Sequence, residues 1–112
     1  MPLFEKSVQV FSETDISVGD LDYTAPGCYR NVVTRSFDVK PKRVLFVKIS
    51  SDKIVDVVVA NSDGSAAAHK EGITDYDIGP IITGNNKNMG ILLGVYLGDK
   101  AKVNVEIRME KK

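Results

Sequence analysis

The chain has 112 residues, 43% of them hydrophobic and 27% charged, with fifteen bases against fifteen acids. That length makes a single domain, residues 1–112, whose core can be large enough to need neither disulfides nor metal. The charges cancel within each half as well (eight against eight in residues 1–56), so there is no long-range field to draw in nucleic acid or an anionic lipid surface, and neither partner is expected.

In chain order, Phe4, Lys6, Val8 and Val10 share one face of an opening strand. Ser12 to Gly27 lacks a clear period and reads as an ordered loop with one short strand at Ile16-Ser17-Val18. Tyr29, Val33, Phe37 and Val39 recur at even spacing and predict a long strand. Asn31 and Arg35 interrupt its inner face, which suggests a bulge or an edge position. Lys40-Pro41-Lys42 closes it, because proline cannot donate to a ladder.

Arg43 to Ser50 is a strand with Leu45, Val47 and Ile49 on one face, and Ile54 to Ala60 follows a Ser51-Asp52-Lys53 turn. Asp56 orients that second strand: a carboxylate is costly to bury unpaired, so Val55, Val57 and Val59 should face the core. Asn61 to Gly64 is turn chemistry. The alanine-rich stretch from Ser65 to Gly72 predicts the one short helical turn, near 65–71. Ile73 to Tyr76 and Ile78 to Thr83 can each supply a strand, with Pro80 marking an edge or bulge. Gly84 to Asn88 is an exposed loop. The apolar run Ile91 to Leu97, the Gly98-Asp99-Lys100 turn and the alternating Val103 to Met109 read as a terminal β-hairpin.

Seven or eight short strands with almost no helix predict an all-β, antiparallel β-sandwich of jelly-roll-like form. In their order, Phe37-Asp38-Val39-Lys40-Pro41, Val44 to Ile49, Val55 to Val59, Leu93 to Leu97 and Val103 to Ile107 resemble small β-sandwich modules. These are the GOLD (Golgi dynamics) domain and bacterial pre-peptidase C-terminal domains, and the likeness spans residues 37–108. It implies a non-catalytic interaction module and carries over no site residue. Those domains are commonly lumenal or secreted. Here Met1-Pro2-Leu3-Phe4-Glu5-Lys6 turns charged at once, no apolar run approaches bilayer length, and the single cysteine fits a reducing compartment. A cytoplasmic location is therefore expected.

Chemistry is sparse. Cys28 and His69 would make a nucleophilic pair only within hydrogen-bond reach of each other, and nothing flanking either residue supports that. Asp20/Asp22, Asp75/Asp77 and Asn61/Asp63 are candidate calcium ligands, but none sits in an Asp-x-Asp-x-Asp-Gly loop, and Asp and Asn favour turns in their own right. No catalytic residue, metal site or cofactor is expected. The acids Glu13, Asp15, Asp20 and Asp22 precede a basic run of Lys40, Lys42, Arg43 and Lys48, an arrangement suited to pairing within the fold or with a partner.

The most usable surface is apolar. With Leu45, Val47 and Ile49 inside, Val44 and Phe46 point outward beside Lys48; with Leu93, Val95 and Leu97 inside, Leu92 and Tyr96 point outward. If these strands share a sheet, Val44, Phe46, Leu92 and Tyr96 form one exposed patch for a partner. The expected function is a non-catalytic module that self-associates, first as a dimer, and binds a protein or glycan. The alternatives are a structural or coat subunit and a small enzyme with a carboxylate site.

Overall fold

The computed structural model describes residues 7–19, 30–96 and 99–111. Eight strands run through them: β1 (Ser7–Val18), β2 (Arg30–Asp38), β3 (Arg43–Ser51), β4 (Val55–Ala60), β5 (Ala66–Ile73), β6 (Tyr76–Ile82), β7 (Asn88–Tyr96) and β8 (Ala101–Lys111). They form two four-stranded sheets, ordered β1-β8-β3-β6 and β2-β7-β4-β5, with every pairing antiparallel. This order is a jelly roll, as the sequence predicts. Only β4 and β5 are neighbours both in sequence and in a sheet; every other connection crosses between sheets.

Alternation explains the core. Leu45, Val47, Ile49, Val103, Val105 and Ile107 project inward from the first sheet. They meet Val55, Val57, Val59, Ile91, Leu93 and Val95 from the second. All twelve are at most 2% exposed. Each such side chain contributes about 1.5–3 kcal/mol of transfer free energy, which is what holds the two sheets face to face.

Four expectations need correction. The terminal segments are strands but not a hairpin: β7 pairs with β2 and β4, whereas β8 pairs with β1 and β3. A short turn suits a crossing between sheets as well as a hairpin, and both strands find better partners far away in sequence. The closing hairpin of the GOLD-like modules is accordingly not formed. The predicted helical turn near 65–71 is instead strand β5, because eight residues cannot sustain a helix alone while β4 offers a ladder. Ser12 to Asp15 is strand rather than loop, and joins the expected strand at Ile16 to Val18 to the opening one. Two register shifts against β8, at Gln9/Phe11 and Glu13/Ile16, break its period of two, and Asp15 takes a φ of 56° at the second. Ile73 to Tyr76 is not a strand of its own: Ile73 ends β5 and Tyr76 begins β6. The opening residues Phe4 to Lys6 lie outside the described residues.

The orientation argument from Asp56 holds: Val55, Val57 and Val59 are buried, and Asp56 lies on the outer face. It is nonetheless only 8% exposed, because the bulged β5 brings the Gly72 N–H onto its Oδ1 at 2.9 Å.

All four sheet edges carry obstacles to a further strand. β1 and β5 each have two register shifts, and β6 has one beside Pro80. β2 is regular, but it turns Arg35 inward. There Nε and Nη2 bind Glu13 of β1 at 2.8 and 3.3 Å, and Nη1 donates to the Thr34 carbonyl. Of the acids in the first segment, Glu13 thus pairs with Arg35 and not with the basic run after Val39. With its edges blunted, the fold leaves its two outer faces as binding surfaces.

Candidate functional site

On the outer face of the first sheet, side chains from different strands line up in rows. One row crosses all four strands: Ser12 of β1, Glu106 of β8, Lys48 of β3 and Asp77 of β6. The next holds Gln9, Arg108 and Phe46. Opposite Phe46, β6 spends one extra residue: Leu45 pairs with Ile81 but Val47 with Ile78, so Gly79-Pro80 faces a single residue. Gly79 has a φ of 141°, and a Cβ there would lie 2.7 Å from the Leu45 carbonyl oxygen and 3.0 Å from the Phe46 ring. The missing side chain lets the ring settle against the β6 backbone, and Phe46 remains 38% exposed.

The result is an open groove of about 330 Å³ lined by Phe46, Lys48, Asp77, Gly79, Glu106 and Arg108. Arg108 is held in place, its Nε donating to Ser7 Oγ at 2.6 Å and its Nη1 lying 3.4 Å from Glu106 Oε2. Among the described residues Lys48 and Asp77 enter no ion pair, although they are register partners. The floor therefore offers an aromatic face, a fixed guanidinium, an unengaged ammonium and two carboxylates within one depression.

The four residues singled out from the sequence do not form one patch. Val44 and Phe46 lie on the outer face of the first sheet, Leu92 and Tyr96 on that of the second. Leu92 has Thr34 and Val58 as flanking register partners, and Val32 and Tyr96 are 50% and 58% exposed.

The chemical candidates are dispersed. His69 sits on β5 with Nε2 3.3 Å from Glu71 Oε2, while Cys28, Asp20 and Asp22 lie outside the described residues. Asn61 and Asp63 belong to a turn: Asp63 Oδ1 accepts from Ser65 N and Oγ, and Asn86 Nδ2 donates to Asn61 Oδ1. Asp75 and Asp77 flank Tyr76, and among the described residues no group of three or more His, Cys, Asp or Glu is placed to hold a metal ion. Glu13 is held below the usual carboxylate range by its hydrogen bond to Arg35, and Asp63 by its bonds from Ser65. Carboxylates kept ionised in this way cannot serve as proton donors near neutral pH. Among the described residues there is no helix, and hence none long and apolar enough to cross a membrane.

Sequence reasoning missed Asp77, Gly79, Glu106 and Arg108 as neighbours of Phe46. The outward pairing of Phe46 with Lys48 follows from alternation on β3, but the others arrive on β6 and β8, whose places beside β3 only the sheet order reveals.

No family model matches the chain, and no curated protein matches it. Among solved structures it is similar to the CBM36-1 domain of a multidomain xylanase from the hindgut metagenome of Trinervitermes trinervoides. The two are 15% identical with a TM-score of 0.40, over 95% of this chain and 96% of that one.

Proposed function

We propose that the protein is a non-catalytic binding module that takes a glycan in the groove beside Phe46. The carrying observation is the exposed Phe46 ring, bedded on Gly79 and bordered by Lys48, Asp77, Glu106 and Arg108. A sugar ring has an apolar C–H face, which an aromatic side chain covers well, and a rim of hydroxyls that both donate and accept hydrogen bonds. Carboxylates and cations set side by side match that rim. The charges on this face nearly balance, with Lys48, Lys102 and Arg108 against Asp75, Asp77, Glu106 and Glu110, so a neutral polyol suits it better than a polyanion. A protein partner would want an apolar, charge-poor centre, which this face lacks.

Electrophoresis through gels containing xylan, glucomannan, hydroxyethyl cellulose or laminarin tests the reading. At least one polysaccharide should retard the protein. Phe46→Ala should weaken that interaction by tenfold or more, about 1.4 kcal/mol, without altering the melting temperature by more than a few degrees. Migration unaffected by every polysaccharide would refute it.

The second outer face favours an additional reading, self-association. Val32, Leu92, Val58 and Tyr96 form an apolar strip on a sheet that is otherwise polar at its rim, the kind of surface a symmetric dimer covers. Light scattering at tens of micromolar should then give a dimer for the wild type and a monomer for Val32→Lys. A monomeric wild type ends this reading, and large particles would favour a structural subunit.

A further inference from the structure

Resting on the glycan reading, the geometry points to a site for an internal stretch of a polysaccharide laid across the strands, not for a chain end. The Phe46 groove does not stand alone. A second depression lies over β1, β8 and β3, with Ser12, Thr14, Ser50 and Asn104 in its lining, and a third lies over β3 and β6, with Ser50, Asp75 and Tyr76. Lys48 lines all three. The row Ser12, Glu106, Lys48, Asp77 is thus the floor of a continuous path from one edge of the sheet to the other. Three strand spacings make that path about 14 Å wide, room for several sugar units.

Two properties of the path select for a chain interior. Its lining changes from aromatic and charged at Phe46 to hydroxyl and amide at Ser12, Thr14, Ser50 and Asn104, a surface for hydrogen bonds to a further sugar and not a wall that would stop one. And Lys48, a compact ammonium on a flexible stem with three donors, stands where the depressions meet, so it can serve consecutive units of one chain. A pocket built for a terminal sugar would instead close around it. Each added unit on this path contributes its own contacts to binding, up to the width of the sheet.

Titration calorimetry with cello-, xylo-, manno- and laminari-oligosaccharides, disaccharide to hexasaccharide, reads this directly. In the series that binds, affinity should climb about tenfold or more with length and then level off. Ser50→Tyr, an exposed change to a residue that strands accept, should fill the two outer depressions. It should remove the gain from length while the disaccharide still binds beside Phe46. Should Ser50→Tyr fail to fold, Ser12→Tyr, on the edge strand, fills the depression over β1, β8 and β3 and should remove the part of the gain that it supplies. Affinity independent of length, with binding still lost in Phe46→Ala, would overturn the chain-interior site and leave the glycan reading standing. Binding indifferent to Phe46→Ala, or absent throughout, would remove both.

Discussion

Gly79→Ala is expected to destabilise the protein by more than the about 1–3 kcal/mol typical of a side chain forced into a backbone conformation it disfavours. The φ of 141° supplies that strain, and the Cβ would add a contact of 2.7 Å with the Leu45 carbonyl oxygen. That oxygen belongs to the backbone of a central strand and cannot step aside without moving the β3–β6 ladder. The other close neighbour is the Phe46 ring, which would be pushed from its seat. Two readouts should therefore move together: a lower midpoint in urea, and weaker retardation by whichever polysaccharide binds the wild type. Loss of binding with an unchanged midpoint would mean that the glycine serves the ligand directly and not by seating the ring.

Thr83→Val should be comparably costly, although it keeps the shape of the side chain. Thr83 is 0% exposed, just beyond the end of β6. Its Oγ1 accepts from the Arg43 N–H at 2.8 Å and donates to the Lys40 carbonyl at 2.8 Å, while its own N–H donates to the Arg43 carbonyl. One hydroxyl thereby fastens the turn between β2 and β3, which links the two sheets, onto β6. Valine would leave the Arg43 N–H without its acceptor in a part-buried position, at about 1–3 kcal/mol. Thr83→Ser should recover most of this. A destabilised serine variant beside an unaffected valine variant, measured by urea unfolding, would show that the methyl packing matters and the hydroxyl does not.

How much of this was legible in the sequence depended on whether a strand keeps its period. β3 and β8 alternate without interruption, and both their extents and their inward residues could be read directly. β1 could not, because the extra residues near Val10 and at Thr14-Asp15 shift the pattern from face to face. In β5 the alanines favour helix locally, and it is the ladder with β4 that overrides them. Pairing was the least legible property: Gly98-Asp99-Lys100 suits a turn within a sheet or a passage between sheets, and the residues carry no mark of which. The same gap governed the site. Alternation put Phe46 and Lys48 on one outer face, but it gave no means of telling that Leu92 and Tyr96 lie on the opposite side of the molecule, or that Glu106, Arg108 and Asp77 join Phe46.

The sheet order also dictates when the groove can form during synthesis. β8 is the last of the eight strands to leave the ribosome, yet it sits between β1 and β3 and supplies Glu106 and Arg108 to the groove. Until it emerges, β1 has no ladder partner and β3 has only β6, so the first sheet cannot close although the second already can. Emergence of β8 therefore completes the groove in one step, and a truncation that removes β8 would take Glu106 and Arg108 from it and leave β1 without a partner.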